Sequence, residues 1–139
     1  MKWVKISTEK PPQWILDAVK SQWNVDWESN VIFTYEDTIS TSSGEMSEDL
    51  IAHERTHTRQ QAEMGADVWW KRYLEDDQFR YEQELEAYQN QYKWLVAHIK
   101  DRNEVTRFLM NYARSLSSGM YGNIVSFTTV IPMIKGVHK

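Results

Sequence analysis

Apolar residues recur along this chain mostly at helical spacing. Trp14, Ile15, Ala18, Val19 and Trp23 return every three or four residues behind Pro11 and Pro12, and proline is tolerated in a first turn, so a helix is expected from about Pro12 to Trp23. The next segment, "NVIFTYEDTISTSSG", is β-branched and aromatic with Glu36 and Asp37 at its centre. It predicts two short strands or one long bent strand, closing in the loop "TSSG". Ser47 stands where a cap belongs, Glu48 and Asp49 suit a positive helix start, and Gly65 stands where that helix should stop. A shorter helix is expected over about Asp67 to Leu74. Asp77 can cap a long one from Gln78 to about Lys100, and another runs from Asn103 to Leu116. The Ser/Gly-rich "SLSSGMYGN" then reads as a loop before a C-terminal stretch interrupted by Pro132. The expected class is α+β, mainly helical, with a short β-hairpin or strand before the Ser47–Gly65 helix.

The long helix carries an apolar stripe of Tyr81, Leu85, Tyr88, Tyr92, Leu95 and Ile99, which defines its core-facing side. Trp14, Trp23 and Trp94 fall at helical core positions. Trp69 and Trp70 are adjacent and so expected on different faces, one of them exposed or at an interface.

Length and charge narrow the picture further. A chain of 139 residues can bury one core, and no repeat or long linker divides it, so residues 1–139 are read as a single domain. Its formal net charge of -4 leaves no basic stripe for phosphates, so neither nucleic acid nor a membrane is an expected partner. No apolar run approaches the roughly 20 residues of a membrane span, and the N-terminal stretch lacks the apolar core of a secretory signal, which predicts a cytoplasmic protein. Cysteine is absent, so any metal would be held by His, Asp or Glu.

The candidate chemistry lies in "DLIAHERTHTRQQ". In a helix, His53 and His57 lie about 40° apart on one face and one turn apart along it, so both imidazoles can reach one ion. Glu54 projects beside that face, the position of a general base acting on water. A charged helix face with two incidental histidines is the competing explanation. Catalytic zinc usually needs a third protein ligand, and "YEQELEAYQ" offers Glu82, Glu84 and Glu86. By helical angle Glu84 falls about 60° from the centre of the apolar stripe, Glu82 about 100° and Glu86 about 140°, so Glu84 is the one that turns inward. The alternative for Glu84 is a boundary carboxylate paired with Arg or Lys. His98 stands about 21 Å further along by helical rise, too far to share an ion with Glu84, and His138 is near the terminus.

"HERTH" followed by "ELEAY" resembles the gluzincin zinc metallopeptidases, whose third ligand is a glutamate on a later helix. The short interval, with a strand before the active-site helix, is similar to the minigluzincins. "HERTHTRQQ", "RYLEDDQFRYEQELEAY" and "ARSLSSGMYGNIVSF" are similar to small metallopeptidase-type proteins of tailed phages and bacteria. The resemblance covers roughly residues 30 to 128. It implies a zincin-like fold, a Zn2+ cofactor on His53, His57 and Glu84, Glu54 as catalytic base, and a peptide or protein substrate. Two features depart from the family. Tyr88 stands where many gluzincins carry an Asp that orients a histidine ligand, and no second lobe walls a substrate cleft.

For the oxyanion that forms in amide hydrolysis, Tyr73, Tyr112 and Tyr121 could each supply a phenol. Tyr121, in the glycine-flanked "GMYGN", is the chosen candidate, against a plain packing role for it. An extended substrate could add as a strand beside Ile32 to Ile39. The alternative function is a weak or inactive metallopeptidase-fold protein working as a structural or assembly component, in a phage particle if phage-encoded, with its partner docking on exposed aromatics. The location would then be host cytoplasm or virion.

Overall fold

The computed structural model describes residues 2–136, which form two compact units, one ending at Glu75 and the other beginning at Asp76. The chain is a mainly helical α+β protein with two small two-stranded sheets among the described residues.

In the first unit, strand β1 (Trp3–Lys5) pairs antiparallel with β4 (Glu45–Ser47), setting Val4 opposite Met46. The β-rich segment resolves into two short strands, β2 (Phe33–Tyr35) and β3 (Thr38–Ser40), joined by a tight turn at Glu36 and Asp37. Glu36 takes the left-handed φ of 56° that the turn demands. Helices α1 (Gln13–Trp23), α2 (Glu48–Met64) and α3 (Ala66–Glu75) complete the unit. Its core gathers Ile15, Val19, Phe33, Met46, Trp69, Trp70 and Tyr73.

Several expectations need correction here. Both Trp69 and Trp70 are buried, because α3 buries Ala66, Trp69, Trp70, Tyr73 and Leu74. That i, i+3, i+4, i+7, i+8 set is a stripe wide enough to hold two neighbours. Trp14 is exposed and Trp23 only half-buried, since α1 buries the narrower Ile15 and Val19 line. Ser47 occupies the cap position without capping: its hydroxyl donates to Asp49 Oδ1 (2.6 Å), while the Glu48 N–H is met by the Lys2 carbonyl (3.1 Å). Backbone pairing that continues from β1 thus replaces the side-chain cap.

The second unit holds α4 (Asp77–His98), α5 (Arg102–Leu116) and α6 (Phe127–Ile134), with a short 3-10 turn at Gly119–Tyr121. The true cap of α4 is Asp76, whose carboxylate accepts from the Phe79 N–H; Asp77 pairs instead with the buried Arg80. Arg80 also donates to the Met120 carbonyl (2.7 Å), tying the 3-10 turn to α4. Pro132 lies inside α6 and does not end it; Val130 and Ile134 anchor that face in an apolar cluster with Leu95, Leu109, Ala113 and Leu116. On α4 the deepest line runs Glu84, Ala87, Gln91, Leu95, while the aromatic Tyr88, Tyr92 and Trp94 are only partly buried beside it. No helix of the described residues is long and apolar enough to cross a membrane.

Candidate metal centre

Helix α2 buries Asp49, His53, Glu54, Thr56, His57, Gln60 and Gln61, and none of these is apolar. Hydrophobic burial cannot be what holds this face inward, so each polar group must be compensated by a specific partner. Several partners are visible. Thr34 of β2 donates its hydroxyl to Glu54 Oε1 at 2.8 Å, and His57 Nδ1 contacts Gln60 Oε1 at 2.9 Å. The Thr56 hydroxyl returns to the Ala52 carbonyl one turn back.

His53 and His57, one helical turn apart, set their ring centroids 5.0 Å apart at a steep angle. The second carboxylate oxygen of Glu54 lies 3.7 Å from His53 Nε2. Taking one ligand atom from each of His53, Glu54 and His57, all three atoms lie within 4.8 Å of one another, and all three residues are buried. Two imidazoles and a carboxylate at such separations form a donor set that fits a divalent ion accepting nitrogen and oxygen. The Trp69 ring lies 5.1 Å from the His57 ring and stacks on Tyr73, giving the imidazole an apolar wall.

Gln61 extends the network to the hairpin. Its carboxamide donates to the Thr34 carbonyl (2.7 Å) and accepts from the Glu36 N–H (2.7 Å), while Trp70 Nε1 also donates to the Thr34 carbonyl (3.0 Å). The glutamine side chain thus does for β2 what a neighbouring strand's peptide group would do. At the other side of the hairpin, Ser7 N–H donates to the Ile39 carbonyl and Thr41 N–H to the Ser7 carbonyl. The Thr34 carbonyl, Glu36 N–H and Ile39 carbonyl, which an added substrate strand would need, are therefore already engaged.

Most of the remaining sequence candidates fall in the second unit. Glu84 is the buried one of the three on α4, as its helical angle predicts, but Glu86 is half-buried and Glu82 exposed, the reverse of the order expected for those two. Tyr121 belongs to the apolar cluster of that unit. Tyr112 packs against Tyr88 there, at 5.0 Å between centroids, and Tyr73 is packed among tryptophans in the first unit. His98 is exposed, stacked on Trp94 and bonded through Nδ1 to the Trp94 carbonyl. His138 lies outside the described residues.

Sequence reasoning passed over Thr34, Gln60 and Gln61. The helical wheel that paired His53 with His57 also puts Gln60 on their face, so a signal existed for it. Thr34 had none, because nothing local links a strand hydroxyl to a carboxylate twenty residues on.

Fold and site together define a mainly helical α+β chain with a buried two-histidine, one-glutamate group able to hold a metal ion. No protein-family model, curated protein or solved structure matches the chain.

Proposed function

We propose that this protein is a zinc-dependent metallopeptidase of the gluzincin type, with His53 and His57 as ligands and Glu54 as general base. The observation that carries the reading is the wholly polar buried face of α2, where two imidazoles and a carboxylate converge and Thr34 holds that carboxylate from outside the helix. Such a face costs folding stability, and an ion-binding and proton-transferring centre is the function that such groups in this arrangement serve. The resemblance to the gluzincins would make Glu84, buried on α4, the third ligand.

The chemistry that zinc supplies when bound is Lewis acidity toward a peptide carbonyl and toward water. The chain's own part falls chiefly on Glu54. With Oε1 occupied by the Thr34 hydroxyl, Oε2 is the oxygen set toward His53, and it takes the proton of the attacking water. That proton passes to the amide nitrogen as the C–N bond breaks, leaving a carboxylic acid and an amine. The His53 and His57 imidazoles hold the ion, and the Trp69 ring excludes water from one side of His57.

Elemental analysis of the purified protein should find about one zinc per chain, lost in His53→Ala and in Glu84→Ala, whereas a parent free of metal would defeat the reading. Cleavage of a peptide library should be abolished in Glu54→Gln with zinc retained. Zinc without hydrolysis in the parent would favour the assembly role, for which exposed Trp3 and Trp14 offer aromatic surface.

A further inference from the structure

We infer that Gln60 is the positioning residue for His57, accepting its Nδ1–H and so turning the ring's Nε2 lone pair toward the ion. The inference rests on the metal-centre reading above and asks what prepares one of its ligands. Gln60 and His57 stand three residues apart on α2 and are 3% and 4% exposed, and the contact is 2.9 Å from His57 Nδ1 to Gln60 Oε1. A carboxamide oxygen can only accept, so the ring nitrogen facing it must carry the hydrogen. A neutral imidazole with hydrogen on Nδ1 has its lone pair on Nε2, which is the atom a metal takes.

An imidazole ligand normally donates its second N–H to a carboxylate, a backbone carbonyl or water, and that outer contact fixes both tautomer and ring orientation. Gln60 supplies an acceptor of this kind from α2 itself. With Trp69 against the same ring, the imidazole is held by a hydrogen bond at one nitrogen and by packing at its face. The acceptor is neutral, so it orients His57 without the added basicity that a carboxylate would lend.

Two measurements test this, one of them independent of any metal. In metal-free protein in mildly alkaline solution, ring-nitrogen NMR should find His57 as the Nδ1–H tautomer. In Gln60→Met it should move toward Nε2–H. Zinc affinity, read by competition with a chromophoric chelator, should fall about 10- to 100-fold in Gln60→Met. In Gln60→Glu, which keeps an acceptor of the same reach, affinity should match or exceed the parent. An Nε2–H tautomer in the parent, or a Gln60→Met protein that holds zinc within about twofold of the parent, overturns the inference; the twofold bound is small beside the usual outer-contact effect. A parent with the Nδ1–H tautomer, lost in Gln60→Met, but with no zinc uptake defeats the metal-centre proposal and upholds Gln60 as the residue that sets the ring.

Discussion

Thr34 controls a carboxylate that lies on a different element. Its hydroxyl donates to Glu54 Oε1, and both side chains are buried. Thr34→Val keeps the shape but removes the donor, and a hydrogen bond to a charged group is worth about 1.5–3 kcal/mol. Stability in a urea titration should fall by about that amount in Thr34→Val, while Thr34→Ser, which keeps the hydroxyl, should lie near the parent. Equal losses in the two variants would mean that packing, and not the hydrogen bond, is what matters. A second residue-scale effect is set by Tyr35, whose phenol donates to Asp67 at 2.8 Å. That bond, followed by desolvation and the nearby acidic charges of Asp67 and Glu36, raises its pKa above the ordinary 10.0. The folded state therefore favours the protonated phenol. The contribution is complete below pH 10.0 and is lost as pH rises through the folded value. The stability gap between parent and Tyr35→Phe should accordingly be constant near neutrality and shrink in alkaline solution. Gln60 and Glu84 were both within reach of a helical wheel, whereas Thr34 and Gln61 act between elements, where spacing along the chain carries no information.

At the scale of elements, the glycines that end a helix or close a turn differ in what surrounds them. Gly65 ends α2 at φ 91° with open space where a Cβ would go. Gly122, at φ 79°, follows the 3-10 turn with Asp77 Cβ only 2.7 Å from that position. Backbone strain of about 1–3 kcal/mol applies to alanine at either site, but only Gly122→Ala adds a collision with α4. Thermal unfolding should rank Gly122→Ala as the more damaging; the reverse order would show that the Asp77 side chain yields freely. The helices were largely legible because periodicity is local, and their ends missed by a residue or two where Asp76 and Asp101, each accepting backbone N–H groups, took the caps. The strands β1 and β4 were not legible. Each is three residues long, and the pairing of Trp3 with Ser47 joins segments far apart in sequence. The paired burial of Trp69 and Trp70 escaped because α3 has a wider buried stripe than a narrow helical seam.

Across the whole molecule, the mainly helical α+β class followed from counting periodic segments, and the described chain divides into two compact units, each with its own buried apolar residues. If the first unit holds zinc through His53 and His57, folding and binding are linked. Free zinc at about 100 times its dissociation constant should add about 2.7 kcal/mol to stability, and a chelator should remove it. Calorimetry with and without chelator measures this directly. An unfolding midpoint indifferent to zinc would count against a site formed only in the folded state.

The buried face of α2 also makes this site visible to selection of a particular kind. Buried ionic and amide groups can often be exchanged for well-packed apolar ones with no loss of stability, or with a gain. A library randomised at His53, Glu54, His57 and Gln60 and sorted for thermal resistance alone should drift toward leucine and methionine. The same library sorted for zinc uptake should return to the residues found here. The positions at which those two populations diverge would trace the outline of the working centre without any substrate being known.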